Sequence, residues 1–368
     1  MSAADVMASL GPLIRLWGVS TAQLPSPTES ADELAPFLIS VLQEAVPFID
    51  SAAPKSSGPS SSTPSTKLWK HKGDKSSPDS TAKVEVSERV VGAGELETVI
   101  SRSGLGDKKP VNETWMCRRS VHEDRAAPGT ASWAEFERCF RDEHAEAEDA
   151  FTPNVAATHA ALVWDCGGVE AAEAGETWTG FQLKVQEMRH RIGKPLKDRT
   201  FPVLQMTAAA RGKSEFLVVS IPVPDFGTAE ASRLAREKGA QVASYVSVER
   251  IRKLDDGRIE WLMATASDAG GVLPMWVQNM AMPGVVWKDV PLFLGWIAKE
   301  RQHKDVAKVG PLGKRAGEQQ APPPQATTGD DAKADVEGRP EVTTATETHK
   351  APAVSEPAGS VPQGSSVS

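Results

Sequence analysis

The sequence predicts an α+β fold, a curved antiparallel sheet wrapped around a long C-terminal helix, with extra helices at the N-terminus. Three observations carry this. Strand-like alternation recurs between residues 84 and 268, one amphipathic helix interrupts it at 132–148, and an apolar run at helical spacing closes it at 272–301. Parallel crossover units are missing from that order, which sets it apart from α/β folds.

The first helices are expected around Val6–Trp17 and in ADELAPFLISVLQEAVPFI, where Leu34, Phe37, Leu38, Val41, Leu42 and Ala45 share a helical face and Ser30 and Asp32 sit near the start as caps. Pro25 and Pro27 separate the two. The Ser/Pro stretch at 51–66 has almost nothing to bury and reads as a disordered linker.

AKVEVSERVV then alternates as a strand, and TWMCRRSVH places Trp115, Cys117, Arg119 and Val121 on one face and Met116, Arg118, Ser120 and His122 on the other. SWAEFERCFRDEHAEAE reads as a helix, with Glu135 three residues after Ser132 as a capping box. Three further strands follow in WTGFQLKVQEMRHRI, RTFPVLQMTAAAR and SEFLVVSIPV. Asp255–Asp256–Gly257 turns a hairpin between VASYVSVERIRK and RIEWLMATASD. The closing helix carries Pro283 and Gly284, which predict a kink. Residues 303–368 are Ala/Pro/Thr/Ser-rich and read as a disordered tail, leaving 67–302 as the folded domain after an N-terminal helical segment at 1–50.

Composition narrows the function. Of 368 residues, 41 are basic and 49 acidic, and the net charge of −8 argues against a nucleic-acid binder held by phosphate contacts. No stretch approaches the ~20 apolar residues of a membrane span. Arg15 interrupts the first apolar run, so no signal peptide is read and the expected localisation is cytoplasmic. The three Cys residues lack the spacing of a zinc motif or a disulfide framework, and their neighbours suggest buried structural thiols. The histidines are scattered, without H-E-x-x-H, and no G-x-S-x-G or phosphate-binding glycine motif occurs. No catalytic residue, metal site or cofactor is assigned.

The blocks WMCRRSVH, GTASWAEFE, EMRHRIGKPLKDRTFPVL, SEFLVVSIPV, LPMWVQNMAMPG and KDVPLFLGWI, in that order, resemble a START-like domain family of unknown function found in fungi. The resemblance covers roughly 5–50 and 67–300. It implies the helix-grip fold of the START and polyketide-cyclase-like superfamily, a deep apolar cup holding a lipid or another hydrophobic molecule. The family offers no established catalytic residues to transfer.

Candidate ligand-contacting residues follow from the strand faces and the closing helix. Arg119 and Glu187 are charged positions on otherwise apolar faces, where an Arg–Glu pair would orient a polar head, the alternative being solvated strand ends. Trp261, Met263 and Thr265 share one strand face, and Trp276 and Met280 lie on the closing helix, where Met adapts to varied ligands and where plain core packing is the alternative. Lys194 and Lys197 in RHRIGKPLKDR are candidates for peripheral contact with anionic membrane headgroups. The expected function is binding of a lipid or hydrophobic small molecule as carrier or sensor. The alternatives are a cyclase- or hydrolase-type enzyme using the same cup, or a protein-interaction module acting through its tail.

Overall fold

The computed structural model describes residues 10–52, 68–106, 108–193, 196–270 and 275–308. The linker expectation at 53–66, most of the tail and Lys194 lie outside them.

Residues 10–17 are not helical, contrary to expectation. The N–H groups of Leu13 and Ile14 donate to the Glu44 carboxylate at 3.0 and 2.9 Å, and so are withdrawn from a helical ladder. Arg15 reaches the Glu113 carboxylate at 3.0 Å, and the Leu16 N–H donates to the same group at 2.8 Å, which ties this segment to a strand nearly a hundred residues away. The helix α1 (Ala31–Ala52) follows. Its start is a capping box: the Glu33 carboxylate accepts from both the N–H and hydroxyl of Ser30 at 2.8 Å. By length and composition α1 is apolar enough to cross a membrane, which corrects the reading that no segment is. In the protein its stripe of Leu34, Leu38, Val41, Leu42, Ala45 and Ile49 is fully buried in one cluster with the sheet, and Phe48 packs 4.5 Å from Trp115.

Ten strands form one sheet: β1 (Lys70–Lys75), β2 (Val84–Val91), β3 (Glu113–His122), β4 (Val155–Trp164), β5 (Ala171–Glu173), β6 (Glu176–His190), β7 (Arg199–Ala210), β8 (Glu215–Pro222), β9 (Ser244–Lys253) and β10 (Ile259–Asp268). The order is β1-β2-β3-β10-β9-β8-β7-β6-β4, with β5 beside β6, and every ladder is antiparallel. The β9–β10 hairpin turns where Asp255–Asp256–Gly257 predicts it, with Gly257 at φ 81°, which glycine adopts without steric penalty. The short α2 (Ala93–Ser103) connects β2 to β3.

The helix expected at 132–148 is broken into α3 (Trp133–Phe136), a π-helical turn (Glu137–Asp142) and α4 (His144–Phe151). Its Ser132–Glu135 capping box is present, with both bonds at 2.8 Å. Glu143 leaves helical geometry at φ −120°, ψ 40°, and so starts a new helix at His144. The closing run also divides: α5 (Met275–Ala281), two tight turns (Met282–Gly284 and Val286–Lys288) and α6 (Asp289–Lys308). Pro283 and Gly284 thus end a helix rather than kink one.

The sheet is covered on both faces. α1 seals the outer face. On the inner face α6 is gripped through Val290, Phe293, Leu294 and Ile297, which join Phe136, Phe140, Phe216, Ile251 and Trp261 in one cluster. Ring centroids of Phe140 lie 4.6 Å from Trp261 and 4.8 Å from Phe293. This aromatic slab holds helix and sheet together at one end of the inner face.

Candidate functional site

Cross-strand register sorts the inner face into rows. The first, Phe216–Ile251–Trp261–Ser120, lies under the aromatic slab. The second is Thr207–Val218–Glu249–Met263–Arg118. The third is Lys184–Gln205–Ser220–Ser247–Thr265–Met116. Bulk therefore falls away from the slab: where a helix-covered sheet normally carries Leu, Ile or Phe, the third row carries two serines and a threonine. The side chains beyond it follow suit. Tyr245, Ser247, Met263 and Ser267 are only half-buried although they lie on the covered face. Met282 reaches back to Ser267, Sδ to Oγ 3.6 Å, and Val286 packs with Met116 and Val86. Slab, turns and rows surround this half-buried part of the covered face, the recess.

A charged cluster stands on its wall. The Arg118 guanidinium lies 4.0 Å over the Trp261 ring, donates to Glu249 Oε1 at 3.2 Å, and has Nε 3.4 Å from Asp289 Oδ2. Trp261 Nε1 also donates to Glu249. His144 bridges, with Nε2 3.7 Å from Glu249 Oε2 and Nδ1 3.7 Å from Glu148 Oε2, and Gln205 Nε2 lies 3.2 Å from Nδ1. Burial alone would raise the Glu249 carboxyl, but His144, Arg118 and the Trp261 N–H hold it below its ordinary value. Glu148 goes the other way. Burial, reinforced by Asp289 and Glu249 and opposed by His144 and Arg118, pushes it up to about 7. Burial and Glu249 likewise raise Asp289 against the pull of Arg118. Yet Glu148 keeps 25% and Asp289 37% of side-chain surface accessible. Both carboxyls are therefore half-buried and open to solvent.

The sequence-derived candidates divide. Trp261, Met263 and Thr265 do share the inner face. Trp261 is sealed in the slab, Met263 lines the recess, and Thr265 donates to the Val246 carbonyl at 3.0 Å. The Arg119–Glu187 pair does not form. Arg119 lies on the opposite face, with Nε 2.7 Å from Glu260 Oε1 and NH1 3.3 Å from Glu85. Glu187 accepts from Ser232 Oγ and from the N–H groups of Arg233, Leu234 and Ala235 at 2.8–2.9 Å, so its acceptors are taken by a loop. Met280 is 75% exposed. Trp276 falls within α5, its side chain outside the described residues. Lys197 is exposed. Burial pushes the Cys117 and Cys139 thiols up to about 12 and raises Cys166, as for structural rather than nucleophilic thiols. Among the described residues no three His, Cys, Asp or Glu side chains form a metal-binding group.

The reading of the sequence missed Arg118, His144, Glu148, Gln205, Glu249 and Asp289. Strand parity puts Arg118 with Met116 and Ser120, and His144 and Glu148 stand one helical turn apart, but neither pattern says which face is concave.

Residues 115–297 match the family model described as a protein of unknown function (DUF3074). No curated protein matches the sequence. Among solved structures, the chain is similar to human STARD10 at 14% identity, covering 73% of this chain and 83% of that one with a TM-score of 0.45. It is similar to the human StarD13 (DLC2) lipid transfer and protein localization domain at 15% identity, covering 62% and 88%, TM-score 0.38. Human StAR-related lipid transfer protein 5 is matched at 12% identity over 65% and 89%, TM-score 0.39.

Proposed function

We propose that this chain binds a lipid or other hydrophobic small molecule in the inner-face recess, as a carrier or sensor. The observation that carries the reading is the third row. Ser220, Ser247 and Thr265 are small side chains on the covered face, and the half-buried Met263, Met282 and Tyr245 supply apolar surface beside them. A pocket of apolar walls with a few placed polar groups suits an amphiphile.

Filling that room tests it. Ser247→Trp puts an indole on the recess floor and is expected to weaken binding of a fluorescent long-chain alcohol by about tenfold or more. Overpacking a half-buried site costs about 1–3 kcal/mol, so the fold is expected to survive, as a circular dichroism melt will report. Unchanged affinity in a folded variant would remove the recess from consideration.

A second reading, a hydrolase- or cyclase-type enzyme, is favoured by one feature. Glu148, its carboxyl near 7, sits beside His144 at the recess wall, as a general acid–base pair at neutral pH requires. Hydrolysis of long-chain p-nitrophenyl esters that falls about a hundredfold in Glu148→Gln is the expected sign. No hydrolysis, or hydrolysis indifferent to that change, excludes the ester-hydrolase form.

A further inference from the structure

We infer that the recess receives its ligand by a positively charged, hydrogen-donating head, the protonated amine of an alkylamine-type amphiphile, held between Glu148 and Asp289. This rests on the reading that the recess binds an apolar molecule, and adds which head it accepts.

The charge count is uneven. Three carboxylates, Glu148, Glu249 and Asp289, gather around one guanidinium and one imidazole. The guanidinium is packed away from solvent, although its Nε and NH1 have no hydrogen-bond partner. Arg118 is 2% exposed, stacked on Trp261, engaged with Glu249 and screened by Met263, whose Sδ lies 3.6 Å from NH2. Lys184, another cation on this face, sits beyond Gln205 on β6, with Glu146 as its neighbouring charge. An incoming anion would therefore meet the two accessible carboxyls first, at a repulsion of like charges.

A second, independent feature points the same way. The Gln205 side chain is 2% exposed, and its Oε1 has no hydrogen-bond partner. Gln205 Nε2 lies 3.2 Å from His144 Nδ1, so the amide nitrogen is turned toward the imidazole. That fixes the amide orientation and leaves Oε1 as a buried acceptor in want of a donor. Thr207 Oγ1, in the adjacent row, is likewise without a partner. Glu148, Asp289 and Gln205 thus carry acceptors in one cluster. The raised carboxyls of Glu148 and Asp289 agree, since burial and the neighbouring carboxylates outweigh the pull of the cations beside them.

Three probes of one chain length separate the possibilities: dodecylamine, dodecanoic acid and dodecanol. Each is titrated into the full chain at neutral pH below its aggregation threshold, and followed by tryptophan fluorescence. Dodecylamine is expected to bind about tenfold or more tighter than dodecanoic acid. Glu148→Gln and Asp289→Asn are each expected to narrow that preference by weakening dodecylamine more than dodecanol. Two near-isosteric variants in different helices keep the test standing if one fails to fold. Equal or tighter binding of dodecanoic acid, or a preference intact in both variants, overturns the inference. Binding of dodecanol without head-group preference overturns it too, but leaves the recess as an apolar site. If none of the three binds, the proposed function itself falls.

Discussion

Replacing Trp261 by Ala is expected to lower the free energy of unfolding by about 4 kcal/mol, in the range of large aromatic truncations in cores. The indole has no exposure and meets Phe136, Phe140 and Phe293 at centroid distances of 4.6–5.6 Å. It also supplies a face to Arg118 and an N–H to Glu249. Truncation therefore opens a cavity between sheet and α6 and strips two partners from a buried ion pair, which the remaining side chains have no slack to replace. Trp261→Phe keeps most of the volume but loses the N–H, so it is expected to fall between the two. Urea unfolding of the three proteins checks the order. A loss below about 1.5 kcal/mol for the Ala variant would mean that the slab does not hold α6 to the sheet.

The second large effect belongs to Glu187. Glu187→Gln replaces one carboxylate oxygen by an amide that cannot accept, so N–H groups of the 232–235 loop lose their acceptor; about 3 kcal/mol is expected. The wild-type contribution is pH-dependent. Burial works to raise the carboxyl, but the N–H groups of Ala235, Leu234 and Arg233 and the Ser232 hydroxyl outweigh it, so its native pKa is lowered. A group depressed in the native state stabilises above its unfolded pKa, about 4.3, and the contribution drains away as pH falls through the lower native value. The stability gap between wild type and variant is therefore expected to be full at neutral pH and to shrink in acid. A gap that stays constant to strongly acid pH would show that the loop does not depend on the charge.

Much of the fold is legible in local pattern. Val84 and Val86 alternate with charge, Asp-Gly marks the β9–β10 turn, and Ser132–Glu135 announces a helix start, because each is decided by neighbours within a few residues. What misleads the reading is non-local. Residues 10–17 are pulled out of helical form by Glu44, and β1, KHKGDK, has no apolar residue to betray it; it exists because β2 offers it an edge. The site is harder still. In β8 every residue is buried, so periodicity gives two faces without naming the concave one. Arg119 and Arg118 are thus equivalent on the page of the sequence, and only the position of α6 tells them apart. Glu148 and Asp289 come from helices that the reading places but cannot orient.

The two sides of the sheet divide labour. An underfilled, charge-lined hollow forfeits dispersion contacts and carries desolvation penalties, so a chain that keeps one needs anchorage elsewhere. α1 provides it from behind: its fully buried stripe and the Arg15–Glu113 clasp brace the strands whose other side is left incomplete. Residues 10–52 are in this sense a keel. Trimming the chain to its β-rich portion would take that brace away and uncover the back of the sheet.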